Sequence, residues 1–348
     1  PIAIGEAWAR LVSRCAMAAC PSLAPQLAPL QVGVGVKGGS HVLGHAIRAG
    51  VMAHPEDVTL QLDFKNAFNT LSREAMLKAV ADRAPQLFKF ASWMYQRASP
   101  LWLAEAPPEA ESLWSQSGVR QGDPCGPLFF ALAIQGALQS IQSWHPGVRV
   151  IAYLDDIFLQ GPKEAVSEAF RDLQSQAEES GLLMQPTKST VYSPTVSQAR
   201  PLSEELGVQL GERGIIAAGC PVGDAAFVSE HADKSATKVE SLVQTLMDLH
   251  LPSQDKLLLL RKSLQVKVAH FARCAKYEHI QAALDKSEHA IVQAVLQIIG
   301  RDESMLDGEQ LKLPLRKGGL GIQCLSTRDG LVCKSGFLAA AALTQEAL

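Results

Sequence analysis

The stretch Val148-Arg-Val-Ile-Ala-Tyr-Leu-Asp-Asp-Ile-Phe-Leu159 decides how this chain is read. Apolar β-formers flank Asp155 and Asp156 on both sides, which predicts a strand, an acidic turn and a second strand. Asp is a poor strand residue and repels a like-charged neighbour, so the pair needs solvent or a cation, and a hard ion such as Mg²⁺ suits it best. Taken alone, an Asp-Asp pair is more often a solvated hairpin turn.

Upstream, Val58-Thr-Leu-Gln-Leu-Asp63 alternates strictly, with Val58, Leu60 and Leu62 on one face and Thr59, Gln61 and Asp63 on the other. Asp63 is therefore expected to end a half-buried strand on its polar face, although an Asp after a strand is often only a helix cap. If the two strands are neighbours, three carboxylates converge on one patch, enough to hold two metal ions roughly 4 Å apart for an in-line phosphoryl displacement. Two-metal nucleotidyl transfer is the leading expectation.

The order of elements supports that geometry. Between the acidic segments, Gln121-Gly-Asp-Pro-Cys-Gly-Pro127 opens an apolar run to Ile141, predicting a buried helix that begins near Pro127. After the hairpin, Val166, Phe170, Leu173 and Ala177 fall at helical spacing, Gly181 stops the helix, and Ser189–Tyr192 is β-like. Strand, helix, strand, turn, strand, helix, strand is the split βαβ order of an α+β, ferredoxin-like antiparallel sheet, whose first and third strands are central neighbours.

The 348 residues are 47% hydrophobic, enough for a real core and two or three subdomains. No apolar run reaches membrane-spanning length, so a soluble chain with no membrane partner is expected. Seven scattered cysteines show no zinc-ribbon or disulfide spacing. The net charge of −3 argues against a self-sufficient nucleic-acid enzyme, yet Lys256, Arg261, Lys262, Lys267, Arg273 and Lys276 cluster in a predicted helical region. Leu257–Leu260, Leu264, Val268 and Phe271 are expected to form the apolar stripe of that region. The Gly-rich segment 31–41 lacks a GKS/T ending and is expected to be a flexible connector, with His41 and His45 supplying ordinary helix-start polarity rather than a ligand pair. Residues 214–223 predict a short hairpin, and 313–322 a turn-rich link into an Ala-rich terminal helix.

Four strings, Leu62-Asp-Phe-Lys-Asn-Ala-Phe-Asn69, Gly118-Val-Arg-Gln-Gly-Asp-Pro-Cys-Gly-Pro127, Tyr153-Leu-Asp-Asp156 and Gly181-Leu-Leu-Met-Gln-Pro-Thr-Lys188, resemble the ordered palm motifs of reverse transcriptases, above all those of non-LTR (LINE-type) retrotransposons. The resemblance implies a polymerase palm with partial fingers and a mainly helical thumb. On this chain that gives fingers and connector at 1–57, palm at 58–228, thumb at 229–300 and a C-terminal extension at 301–348. It implies an RNA-directed DNA polymerase that joins dNTPs to a DNA primer on an RNA template, using two Mg²⁺ ions for which Mn²⁺ can substitute. Asp63 and Asp155 would ligate the metals directly, Asp156 would be a further metal ligand or a charge-tuning neighbour, and Lys188 would be a proton donor or electrostatic partner to the leaving pyrophosphate, with an exposed strand-end lysine an equally good reading. Phe64, Phe68, Arg120, Gln121, Gly122 and Tyr153 would contact substrate, Phe68 as the ring that excludes a 2′-hydroxyl. Arg261, Lys262 and Lys267 would bind the nucleic-acid backbone by shape. The family implies a nuclear location or a cytoplasmic ribonucleoprotein.

Three departures accompany the likeness. The fingers are expected to be truncated, since the sequence opens at Pro1 where the family's fingers motif ends, Cys125 stands where Leu or Ala is usual with Gln185 replacing a common Asn, and no stretch of these residues resembles an endonuclease or zinc-knuckle module. The alternative expectation is therefore a catalytically inactive, domesticated fragment acting as a structural subunit of a larger protein assembly. A group II intron maturase ranks last.

Overall fold

The computed structural model describes residues 5–101, 113–267, 269–301 and 308–322, with the side chains of residues 271, 308 and 309 also outside the description. The Ala-rich terminal helix, Val268 and the Phe271 side chain thus lie outside the described residues. In chain order the elements begin with α1 (Ala7–Ala19), α2 (Gly39–Ala53), β1 (Val58–Leu62), α3 (Ala67–Thr70), α4 (Arg73–Arg83) and α5 (Pro85–Tyr95). A small hairpin of β2 (Ser99–Leu101) and β3 (Leu113–Ser115) precedes α6 (Gly126–Trp144), β4 (Arg149–Tyr153), β5 (Asp156–Gly161) and α7 (Lys163–Glu179). Then come β6 (Thr190–Tyr192), α8 (Val196–Leu206), β7 (Gln209–Gly211), β8 (Gly214–Ala217) and β9 (Cys220–Gly223). The helices α9 (Ala225–Asp248), α10 (Ser253–Leu259), α11 (Gln265–Lys267), α12 (Ala269–Cys274) and α13 (Tyr277–Ile299) follow.

The main sheet has the order β4-β5-β1-β6-β7, so β1 and β5 are antiparallel neighbours with Leu62 opposite Ile157. This is the split βαβ arrangement, and the fold is an α+β polymerase palm joined to a helical module. Side-chain alternation on the pleat sorts the two faces. Val58, Leu60, Leu62, Ile157 and Leu159 enter a core shared with α6 and α7, whereas Ile151, Phe158 and Tyr192 enter a second core under α2 and the β8–β9 hairpin. With both faces covered, β1 is more buried than expected. Thr59 is 2% exposed and accepts a hydrogen bond from Gln160 Nε2 at 2.8 Å, leaving the strand to open towards Gln61 and Asp63.

Segment 31–41 is not a flexible connector. Gln31 bridges Ala152 in parallel, Val32 N donates to Ala152 O at 2.8 Å, and Ala152 N donates to Leu30 O at 2.6 Å, so the segment extends the sheet beside β4. Its glycines let backbone pass close to backbone: a Cβ on Gly39 would stand 2.0 Å from the Val32 carbonyl oxygen.

The helical module has its own core, built where α9 and α13 lie together. Its basic helix departs from the expected stripe. A π-helical turn at Leu260–Leu264 follows α10, Leu260 and Leu264 are buried, and Leu258 and Leu259 are 48% and 41% exposed. Four consecutive leucines wrap more than one turn of helix, so they cannot share a face.

Candidate active site

The carboxylates are placed by the two central strands. Asp63 follows β1, where its N–H donates to Ser189 Oγ at 3.1 Å and its carbonyl accepts from Gln185 N at 2.8 Å. These bonds tie the end of β1 to the segment entering β6. Asp155 stands in the two-residue loop between β4 and β5, and Asp156 is paired with Tyr153 across the hairpin.

The loop is held in a costly conformation. Leu154 has φ +59°, in the left-handed region where a branched residue costs on the order of 1–3 kcal/mol. The fully buried Gln31 clamps it: Gln31 Oε1 accepts from Leu154 N at 2.7 Å and from Gly33 N at 3.0 Å, and Gln31 Nε2 donates to Leu154 O at 3.3 Å. Nothing in the local pattern around Gln31 announces this role, because its partner lies in the distant β4–β5 loop.

A cleft of about 450 Å³ is lined by Asp63, Phe64, Phe68, Gln121, Asp155 and Lys188, with Gln185 and the turn at 65–69 completing it. Burial pushes the Asp155 carboxyl up, with Asp63 adding to the shift and a backbone hydrogen bond opposing it. Burial, then Asp155, then Asp63 push Asp156 up to about 6. Three carboxylates thus share one field. Among the described residues, no Lys or Arg forms an ion pair with any of them. Like charges held together without a partner favour an added cation, and an all-oxygen donor set suits a hard one.

The remaining expected residues divide. Phe68 borders the cleft and stacks on Phe130, ring centroids 4.6 Å apart, which fixes its ring. Gln121 and Lys188 are exposed at the cleft. Phe64 borders it but is 5% exposed, packed in the palm core and bridged to Met184. Asp156, Arg120, Gly122 and Tyr153 are not among the lining residues, and Asp156 reaches the site only through its charge on Asp155 and Asp63. The Arg120 guanidinium donates instead to Met94 O at 3.0 Å and Ser99 Oγ at 2.6 Å and lies over the Tyr95 ring. Tyr153 packs towards Gly39.

A buried network behind the 117–126 loop went unread in the sequence. Tyr95 OH donates to Asp123 Oδ2 at 2.6 Å, Asp123 Oδ1 accepts from Cys125 N, and Arg73 donates to the carbonyls of Gly118 and Ser115. Gly118, at φ +69°, lets this loop lie against the turn after Asp63, since a Cβ there would meet Phe68 O at 2.2 Å. The loop carrying Gln121 and the turn carrying Phe68 are therefore one packed unit.

Comparison with known proteins shows the family. Residues 43–229 match the family model described as reverse transcriptase (RNA-dependent DNA polymerase). The chain is 23% identical over 330 residues to the retrotransposable element SLACS 132 kDa protein of Trypanosoma brucei gambiense, covering 93% of this chain and 27% of that protein. It therefore spans about a quarter of the length of that curated relative. Among solved structures, apo telomerase from Candida tropicalis aligns at TM-score 0.48 and 10% identity, covering 99% of this chain and 59% of that one. Telomerase from Candida albicans with a fragment of telomeric RNA aligns at 0.39 and 10% identity, covering 85% and 53%. The family match takes in β1 through β9 with all three carboxylates, spans more than half of the sequence, and means that the chain belongs to the reverse transcriptase family.

Proposed function

We propose that this chain is the RNA-directed DNA polymerase part of a non-LTR retrotransposon protein, and that its cleft joins dNTPs to a primer 3′-hydroxyl on an RNA template. The observation that carries the reading is Asp63 and Asp155, brought to one cleft by adjacent strands, with Asp156 beside them in the same electrostatic field and, among the described residues, no Lys or Arg ion-paired to any of the three. The family's divalent-metal dependence matches that donor set. Asp63, Asp155 and Asp156 would hold two Mg²⁺ ions, or Mn²⁺ in their place. When bound, such ions would favour ionisation of the primer hydroxyl and stabilise charge on the departing pyrophosphate.

The protein's own part is orientation. Strand register and the Gln31 clamp fix the carboxylates. Phe68, braced by Phe130, presents a rigid edge to the incoming sugar and selects against a 2′-hydroxyl. Lys188 stands free on the cleft rim to meet pyrophosphate charge, and Gln121 faces the nascent pair. We assign residues 1–57 to fingers and connector, 58–228 to palm, 229–300 to thumb and 301–348 to an extension, with Arg261, Lys262 and Lys267 on the path of the template–primer duplex.

Primer extension on an RNA template, comparing the chain with Asp155→Asn, tests the reading. Extension is expected to fall by several kcal/mol of barrier, on the order of a thousandfold in rate. The net charge of −3 favours the second reading, a structural subunit without activity. No extension by either protein, with Mg²⁺ or Mn²⁺, would overturn the polymerase reading in favour of that one and turn the search to protein partners.

A further inference from the structure

Outside the lining of the carboxylate cleft, where the β8–β9 hairpin meets the helical module, Cys220, His270 and Cys274 bring one ligand atom each to within 4.8 Å of one another. The residues come from two separate elements, β9 and α12, and both cysteines are fully buried. Cys220 Sγ and His270 Nε2 are 3.7 Å apart. Tetrahedral zinc, with Zn–S near 2.3 Å and Zn–N near 2.0–2.1 Å, sets sulfur and nitrogen ligands about 3.5–3.8 Å apart. That pair already has the required spacing, and only a small closure of the third atom completes it.

The backbone is shaped to this approach. Gly44 of α2 packs against the cluster, where a Cβ would stand 2.6 Å from Cys220 Cβ and 2.9 Å from Cys220 Sγ. The hairpin turns through Ala218 and Gly219, both with positive φ, and a Cβ on Gly219 would meet His270 Nε2 at 2.9 Å. The other imidazole nitrogen has a partner of its own, since His270 Nδ1 lies 3.1 Å from His41 Nε2. A hydrogen bond there, with His270 Nδ1–H donating to His41, leaves the Nε2 lone pair for a metal, the usual way in which a neighbour fixes a ligand histidine. Without metal the tautomers are reversed: His270 Nε2–H donates to Ala218 O at 3.0 Å, and His41 donates to Nδ1.

We propose that Cys220, Cys274 and His270 Nε2 form a zinc site that staples the β8–β9 hairpin to α12, with His41 orienting the ligand imidazole and a water in the fourth position. Zinc rather than magnesium follows from the two sulfur ligands and the imidazole. Binding displaces both thiol protons to solvent, giving a neutral bis-thiolate zinc centre. Its consequence is mechanical, because α12 leads directly into α13 and the staple fixes that helix pair relative to the palm.

The test is metal content and cobalt spectroscopy on the reduced full chain. One equivalent of zinc is expected after purification, and Co²⁺ exchanged into the site should give a thiolate-to-cobalt charge-transfer band with tetrahedral d–d intensity. Cys274→Ser and His270→Gln should each lose the bound equivalent, while Cys125→Ser, which alters a buried thiol elsewhere, should keep it. Should Cys274→Ser fail to fold, the cobalt spectrum of the unaltered chain and the His270→Gln comparison still decide. Folded protein without zinc and without a thiolate–cobalt band overturns the site, as does a Cys220–Cys274 disulfide that forms at the expense of metal uptake.

Discussion

The palm and the helical module build their cores by different means. The palm core holds Phe129, Phe130, Phe158 and Tyr95, large side chains at or below 1% exposure, locked between a sheet of defined register and the helices on its faces. The module's core is rich in alanine, at Ala232, Ala236, Ala272, Ala275, Ala283 and Ala294, with α9 and α13 in close contact. Large rings between strands fix positions; small residues between helices permit close approach but offer fewer distinct contacts to specify orientation. The palm's packing fixes the strands that carry the carboxylates, and the proposed zinc staple would add a constraint where the module meets the β8–β9 hairpin.

The sharpest way to break that contrast is by core truncation. Phe158→Ala removes a fully buried ring from the face under α2 and is expected to cost about 3–5 kcal/mol. Leu264→Ala, next to the π-helical turn, should lie near the lower end of the 2–5 kcal/mol typical of such deletions, because helices can close over the gap. Denaturant unfolding of both variants compares them, and equal losses would remove the distinction.

The next effect concerns the cleft's charge. In metal-free protein Asp156 is pushed up to about 6 from its ordinary 3.8, so the folded state holds a proton that the unfolded chain has already released. Its contribution to stability is full below about pH 4 and is lost as pH rises through 6, at most about 3 kcal/mol and less where water screens the group. Asp155 is shifted in the same direction. Asp156→Asn should therefore stabilise EDTA-treated protein relative to wild type at pH 7.5 but not at pH 4. It should also weaken the Mg²⁺-dependent rise in melting temperature that binding to ionised carboxylates produces. A variant that melts below wild type at pH 7.5 would contradict the origin assigned to the shift.

A smaller loss is expected from Gln31→Leu, which leaves the Leu154 backbone N–H without its buried acceptor and costs roughly 1–3 kcal/mol. Because the clamp sits one residue from Asp155, extension should fall more than stability alone explains. Unchanged turnover in a folded Gln31→Leu protein would show that the loop holds itself.

These particulars explain what was legible. Val58, Leu60 and Leu62, the Asp155–Asp156 hairpin and the helix carrying Val166 to Ala177 are periodic signals, and each element formed within a residue or two of its expected place. The split βαβ order then brought β1 beside β5. Gln31, Ser189 and the Tyr95–Asp123–Arg73 network were invisible because each acts on a partner far away in sequence, and a single polar residue carries no period. Cys220 and Cys274 have no zinc-motif spacing, and only packing of α12 on the hairpin brings them together with His270.

The module's basic face supplies the last and smallest test. Lys262 and Lys267 are exposed and Arg261 is half-buried beside the π-helical turn, so these three can reach a polyanion. Lys256 cannot contribute equally, since its Nζ already donates to Met247 O at 2.7 Å at the end of α9. Each phosphate contact adds about 0.7–0.9 to the slope of log affinity against log salt. Lys262→Ala with Lys267→Ala should flatten the slope for an RNA–DNA duplex by about 1–2, whereas Lys256→Ala should leave the slope alone and fray the helix end. Cleft variants should leave it unchanged as well, because carboxylates release no counterions from the duplex. Salt titrations that show Lys256 and Lys262 to be equivalent would mean that the duplex follows net charge over the module, and that the π-helical turn has no part in aiming it.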